Sequence, residues 1–247
     1  RVLVDLLVRQ KPNIVHIHGV FGWITSSAAY LCWQKRIPYV LEPYGVFDPR
    51  CFWSHLWPLK LIYYLIFGRF ELARAAAIKV ASELEAQPFR RWKTLYRKVW
   101  VIPYGVDFSD TCDRIDLAAN SSLVCFISRI AKKKRPEWVV QACQELRDEF
   151  PDLKVIIAGS DDGHKRFLED FVRKCAAQNW VKIIDFVEGK AKEQLFRSAK
   201  VLVLPSEDES LGAVVLEAMA FGTPVVVTPG VASHVYVDAA GCGFTVD

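Results

Sequence analysis

A chain of 247 residues with 52% hydrophobic and 24% charged residues is long enough for two ordinary domains and too apolar for wholesale disorder. Its net charge of +4 at pH 7 is uneven, about +6 over residues 1–120 and −2 over 121–247. A basic first half suits an anionic partner such as a membrane surface or a phosphorylated acceptor, or is simply a solvated face, and no nucleic-acid partner is expected.

The chain opens at Arg1, without a methionine and inside a helical pattern, so an N-terminal segment is expected to be missing. Short β-branched runs then recur at Asn13–His18, Pro38–Glu42, Ala77–Ala81 and Val99–Ile102. Six more follow at Leu123–Ile127, Lys154–Ala158, Val181–Ile184, Val201–Leu204, Pro224–Val227 and Gly243–Val246. They are continuously apolar rather than alternating, as strands of a parallel sheet covered on both faces are. Helical patterns lie between them, among them Glu137–Phe150, Lys165–Gln178 and Leu211–Phe221, so the class is α/β with doubly wound sheets.

The polar, turn-rich stretch 106–122 reads as a linker. It separates an incomplete Rossmann-like domain, 1–105, from a complete one, 123–247. Two such domains facing a cleft would hold ligands at the carboxyl ends of their strands. Seven cysteines (Cys32, Cys51, Cys112, Cys125, Cys143, Cys175 and Cys242) form no C-x-x-C pair. They indicate neither a zinc cluster nor a disulfide framework, and a reducing cytosol fits them best. Residues 51–68, rich in Trp and Tyr, contain His55, Pro58 and Lys60 and fall short of a membrane span. They read as a buried helix or as a helix lying on a bilayer interface. His16 and His18 are expected on a buried strand as satisfied core histidines, with His18 the better functional candidate because it is nearer the strand's carboxyl end.

The strongest signal is Leu202–Gly222, LVLPSEDESLGAVVLEAMAFG. A strand ends at Pro205 and Ser206, an acidic loop follows, then Gly212 and a helix. Glu209 precedes that helix and Glu217 lies in it, eight positions on, so both can face one cleft. The N–H groups of Ser210, Leu211 and Gly212 stand at the helix N-terminus, whose partial positive charge suits a phosphate or a sugar hydroxyl. Gly212 allows close approach to the backbone.

This run resembles glycosyltransferase family 4, the group 1 glycosyltransferases, whose signature is Glu-x7-Glu within P-S-x-x-E-G-x-G-x-x-x-x-E-A-M-A-x-G-x-P-V-V. It departs at Ser210, where glycine is usual. Upstream, LVCFISRIAKKKRP over Leu123–Pro136 resembles the family's G-R-L-x-x-x-K-G, with Ser128 and Arg135 in place of glycines. Ile156–Gly159 resembles its I-A-G turn, and Asp185–Gly189 its G-x-V loop, with Asp185 in place of the first glycine and Val187 abutting the base. In the first half, Pro12–His18 resembles P-D-V-V-H-V-H, and Ile102–Asp107 resembles I-P-N-G-V-D with Tyr104 for Asn. Pro43-Tyr44-Gly45 stands where many members carry a His before a Gly.

The resemblance implies GT-B architecture and retaining transfer of a sugar from a UDP- or GDP-sugar to a glycan or lipid-linked acceptor, as in cell-surface polysaccharide synthesis. It implies that Arg129 and Lys134 grip the diphosphate and that Glu209 serves the donor sugar or the anomeric carbon. Glu217 would take the ribose. The backbone around Ser206, Ser210, Leu211, Gly212, Gly159 and Val187 would complete the donor site. His18, Tyr44 and Gly45 are candidates for the acceptor side. Two fixed cations can neutralise a departing diphosphate, so neither a metal nor a cofactor is expected. The protein is expected in the cytoplasm, with peripheral contact at the inner membrane face. The alternatives are a non-catalytic nucleotide-sugar-binding protein and a nucleotide-sugar epimerase. A Rossmann oxidoreductase is disfavoured, because no G-x-G-x-x-G follows a strand.

Overall fold

The computed structural model describes residues 2–53, 56–91, 98–106 and 122–247. The chain divides into two compact units, Arg1–Tyr104 and Gly105–Asp247. Most of the expected linker, residues 107–121 with Asp107 and Cys112, lies outside the described residues.

The first unit begins with α1 (Val2–Gln10), then β1 (Val15–His18), α2 (Trp23–Gln34) and β2 (Tyr39–Glu42). Three short helices follow, α3 (Pro49–Phe52), α4 (Trp57–Tyr63) and α5 (Arg69–Arg74), with a π-helical turn at Tyr64–Gly68 between the last two. β3 (Ala77–Val80), α6 (Glu83–Arg90) and β4 (Val99–Val101) complete it. The sheet is parallel, in the order β1-β2-β3-β4. Its core holds Ile17, Tyr39, Leu41, Ile78, Val80 and Phe89.

The second unit runs β5 (Leu123–Ile127), α7 (Pro136–Glu145), β6 (Lys154–Ala158), α8 (Lys165–Lys174), β7 (Val181–Ile184) and α9 (Gly189–Ser198). It continues with β8 (Val201–Leu204), α10 (Ala213–Ala220), β9 (Val225–Val227), α11 (His234–Ala240) and β10 (Gly243–Thr245). All six strands are parallel, in the order β10-β9-β8-β5-β6-β7. From β5 the chain winds outward to β7, then returns and winds the other way from β8. The strand order therefore reverses between β5 and β8, and the crevice outside their carboxyl ends is where such sheets bind ligands. Phe126, Ile157, Leu202 and Leu204 are fully buried in the central strands, which explains the continuous apolar runs.

Two expectations are corrected. β1 is an edge strand among the described residues, and Ile17 is its only buried residue, with Val15 packed partly buried against the core. His16 and His18 point to the opposite face, with side chains 43% and 54% exposed, so neither is a core histidine. The helix expected over 51–68 is broken into pieces, and α4 buries none of its residues. Trp53, Leu56, Trp57, Leu59, Ile62, Leu65 and Ile66 are exposed, which overturns a wholly buried helix. Such a stretch is apolar all round, and composition alone does not tell a core position from an open face. Among the described residues no helix is long and apolar enough to cross a membrane.

Candidate functional site

In the second unit, two loops leave β5 and β8 side by side at the point of strand reversal. The first carries Arg129 and then a 3-10 turn, Lys132–Lys134. The second carries Ser206 through Gly212 into α10. Backbone ties them, since the Glu207 N–H donates to the Lys133 carbonyl at 2.9 Å. Three cations of one loop then face three anions of the other. Lys133 lies 3.7 Å from Asp208, Lys134 is ion-paired with Glu209, and Arg135 is ion-paired with Glu207.

Lys134 is 3% exposed, and its ammonium also reaches the Asp208 carbonyl at 3.3 Å. A buried ammonium needs compensating charge, and Glu209, with a side chain 26% exposed, supplies it while remaining open to solvent. Glu209 is held by its own backbone: its N–H donates to Gly230, and its carbonyl accepts from Ala232. Gly212 turns the chain into α10 at φ +75°, and a Cβ there would stand 2.9 Å from Val231 Cγ1. Glycine is therefore required by the turn itself. The N–H groups of Ser210, Leu211 and Gly212 precede the helix and donate no hydrogen bond among the described residues, which leaves a cluster of donors at its positive end. Leu211 is itself buried, so it can offer a ligand only backbone. The Ser206 hydroxyl is fully buried with no hydrogen-bond partner among the described residues.

Arg129 follows β5 directly but is turned to Asp162, at 2.5 Å, and is 59% exposed. Glu217 sits on α10 and pairs with Lys192 of α9. The structure thus brings Lys134 and Glu209 together and assigns Arg129 and Glu217 partners that spacing did not suggest. Gly159 is forced by packing, because a Cβ there would lie 1.8 Å from the Ser128 carbonyl oxygen. Gly230 is another missed position: a Cβ would meet the Glu207 carbonyl oxygen at 2.4 Å. Its only sequence signal is the Thr-Pro-Gly turn after β9. Val187 packs on the core, and Asp185 pairs with Lys165 at 2.8 Å.

The departures at glycine positions differ physically. Arg135 takes a left-handed φ of +49°, a conformation that costs a side chain about 1 kcal/mol and explains the usual glycine. Ser210, Asp185 and Ser128 have no positive φ and bear no such cost.

In the first unit, the Tyr44 hydroxyl lies 2.6 Å from His18 Nδ1. Tyr44 has φ +56° and Gly45 φ +71°, a sharp turn pinned by the Gly45 N–H donating to the Glu85 carboxylate. Burial, reinforced by the neighbouring Glu42 and Glu85 carboxylates, pushes the Tyr44 phenol above its ordinary pKa. Burial, with His18 alongside, holds the His16 imidazole below the usual value.

Comparison with known proteins agrees with this architecture. Residues 1–110 match the family Glycosyltransferase Family 4, and residues 111–247 match Glycosyl transferases group 1. The chain is 26% identical over 240 residues to an uncharacterized glycosyltransferase of Methanocaldococcus jannaschii, covering 91% of this chain and 60% of that protein. It is 33% identical over 165 residues to the D-inositol 3-phosphate glycosyltransferase of Kineococcus radiotolerans, covering 59% of this chain and 38% of that protein. Among solved structures, Anabaena HepE in complex with UDP and glucose superposes with a TM-score of 0.77 at 17% identity, over 99% of this chain and 67% of that one. The chain therefore spans 60% and 38% of these two relatives' lengths, less than two thirds of either. The fold is that of the GT-B glycosyltransferases, and the chain belongs to the group 1 glycosyltransferase family.

Proposed function

We propose that the chain carries the donor site of a retaining glycosyltransferase that moves a hexose from a UDP- or GDP-sugar to a glycan or lipid-linked acceptor. The observation that carries this reading is the meeting of Lys134, Glu209 and the donor-rich start of α10 where the strand order reverses. A diphosphate there would take Lys134 and Arg129 as counter-cations and the α10 N-terminus as a hydrogen-bond cradle. Glu209, released from Lys134 by the competing phosphates, would meet the donor sugar. Glu217 would accept hydrogen bonds from the ribose. Charge on the leaving diphosphate would be balanced by side chains, without a divalent ion at that position.

Calorimetric titration of the whole chain with UDP and GDP tests this. One of the two should bind with a Kd unchanged by EDTA, and Glu217→Gln should weaken it about 10-fold, the scale of a charged hydrogen bond. Glu209→Gln should leave nucleotide affinity and lower turnover. Nucleotide binding that required Mg²⁺, or an unchanged Kd in Glu217→Gln, would reject these assignments. Binding without turnover of any nucleotide sugar would favour a non-catalytic nucleotide-sugar-binding protein.

We also propose peripheral membrane contact of a cytoplasmic enzyme through the first unit. The exposed Trp53, Trp57, Leu59, Ile62, Leu65 and Ile66 support it, with half-buried Lys60 beside them donating to the Cys51 carbonyl at 2.6 Å. Aromatic rings and aliphatic side chains suit the headgroup boundary, and lysine meets anionic lipid. Vesicle co-sedimentation should rise with anionic lipid and fall with salt. Replacing Trp53 and Trp57 by Ser in a folded protein should abolish most of it; undiminished binding would remove this surface from the reading.

A further inference from the structure

The first unit holds a second cluster of chemical groups. Strand alternation puts His16 and His18 on one face of β1, and the parallel register sets His18 beside Glu42 of β2. Three ligand atoms converge as a result. His16 Nε2 lies 3.0 Å and His18 Nδ1 3.3 Å from the same carboxylate oxygen, Glu42 Oε2. All three atoms lie within 4.8 Å of one another. Around a tetrahedral zinc with bonds of about 2.0–2.1 Å, ligand atoms stand roughly 3.3 Å apart. Two of the three edges already have close to that length.

We propose that His16, His18 and Glu42 bind one zinc-class divalent cation. Two imidazoles and one carboxylate select zinc, cobalt, nickel or copper over magnesium and calcium, which take oxygen donors. Glu42 is 1% exposed, and its other oxygen is held by Lys79, so the carboxylate is aimed before any ion arrives. The two imidazoles are half exposed, which gives an ion a route from solvent and leaves a coordination position for water or a substrate oxygen. Entry displaces the Tyr44 hydroxyl from His18 Nδ1. The expectation of no metal was drawn from the diphosphate, and this site is in the other unit.

The test is direct metal binding by the whole chain after chelator treatment. Co²⁺ titration should give visible bands of a nitrogen- and oxygen-ligated tetrahedral ion that saturate at one equivalent, and Zn²⁺ should displace it. His16→Ala and His18→Ala should each weaken binding at least about 10-fold, since even loss of an outer-shell partner costs that much. Both histidines are exposed, so these variants should fold, as circular dichroism would verify; Glu42→Gln disturbs a buried ion pair and is the less decisive change. His234→Ala, in the second unit, should bind as the wild type does, and Tyr44→Phe at least as tightly. Absence of stoichiometric binding, or unchanged affinity in a His16→Ala/His18→Ala double variant, would overturn the site.

Discussion

Lys134→Ala should lower sugar transfer by roughly 10²-fold or more, the scale of losing one preorganised electrostatic group. Lys134 is nearly buried, and its ammonium is ion-paired with Glu209 and bonded to the Asp208 carbonyl. Those contacts hold the charge beside the α10 N-terminus before any donor arrives, so no reorganisation is needed when a diphosphate departs. The alanine variant also strips Glu209 of its counter-ion, and part of its effect could come from a shifted loop. Lys134→Met separates the two causes, because it keeps the apolar stem and removes only the charge. If charge is the cause, both variants lose the same activity while Lys134→Met melts closer to the wild type. Near-normal turnover in Lys134→Met would remove this lysine from the mechanism. Affinity for whichever of UDP and GDP binds should fall alongside, since the ground state already carries the diphosphate charge.

Much of this architecture is legible in the residues. All ten strands among the described residues lie where apolar runs place them, and the central β5, β6 and β8 are the most continuously apolar because both of their faces are covered. Ends are shorter than the runs: Asn13, Ile14, Pro38 and Pro224 stand before the paired residues. Glu209, Gly212 and Lys134 are legible because a long contiguous motif carries them. What was not legible depends on register between distant elements. Nothing in spacing brings Lys192 to Glu217, Asp162 to Arg129, or Glu42 across 24 positions to His18. The three-on-three facing of Lys133, Lys134 and Arg135 against Asp208, Glu209 and Glu207 likewise needs β5 and β8 to be neighbours. Exposure at β1 departs from the sequence expectation, and at α4 exposure excludes the buried-helix alternative, because an apolar neighbourhood in sequence can be an open face in space.

Gly159→Ala should be strongly destabilising, as should Gly243→Ala, whose Cβ would stand 1.9 Å from the Val225 carbonyl oxygen. Gly159 closes β6, and a Cβ there would stand 1.8 Å from the Ser128 carbonyl oxygen and 2.8 Å from its carbon. Both atoms are backbone, so no rotamer change relieves the clash. The ends of β5 and β6 would have to separate where Ser128 N–H donates to Ala158 and Ile130 N–H to Ser160. Overpacking of this kind costs about 3 kcal/mol or more once ladder bonds are strained. Gly163→Ala is the matched comparison. Gly163 has φ +81° but nothing within 4 Å of its missing Cβ, so it bears only the conformational cost, about 1 kcal/mol. Arg129 follows Ser128 directly, so the displacement at Gly159 would also move a cation assigned to the diphosphate. Urea unfolding should show a far lower midpoint for Gly159→Ala than for Gly163→Ala, and binding of the nucleotide, UDP or GDP, should be lost in the first and kept in the second. Equal midpoints for the two variants would mean that the strand ends yield easily, and that the glycine is not what holds β6 against β5.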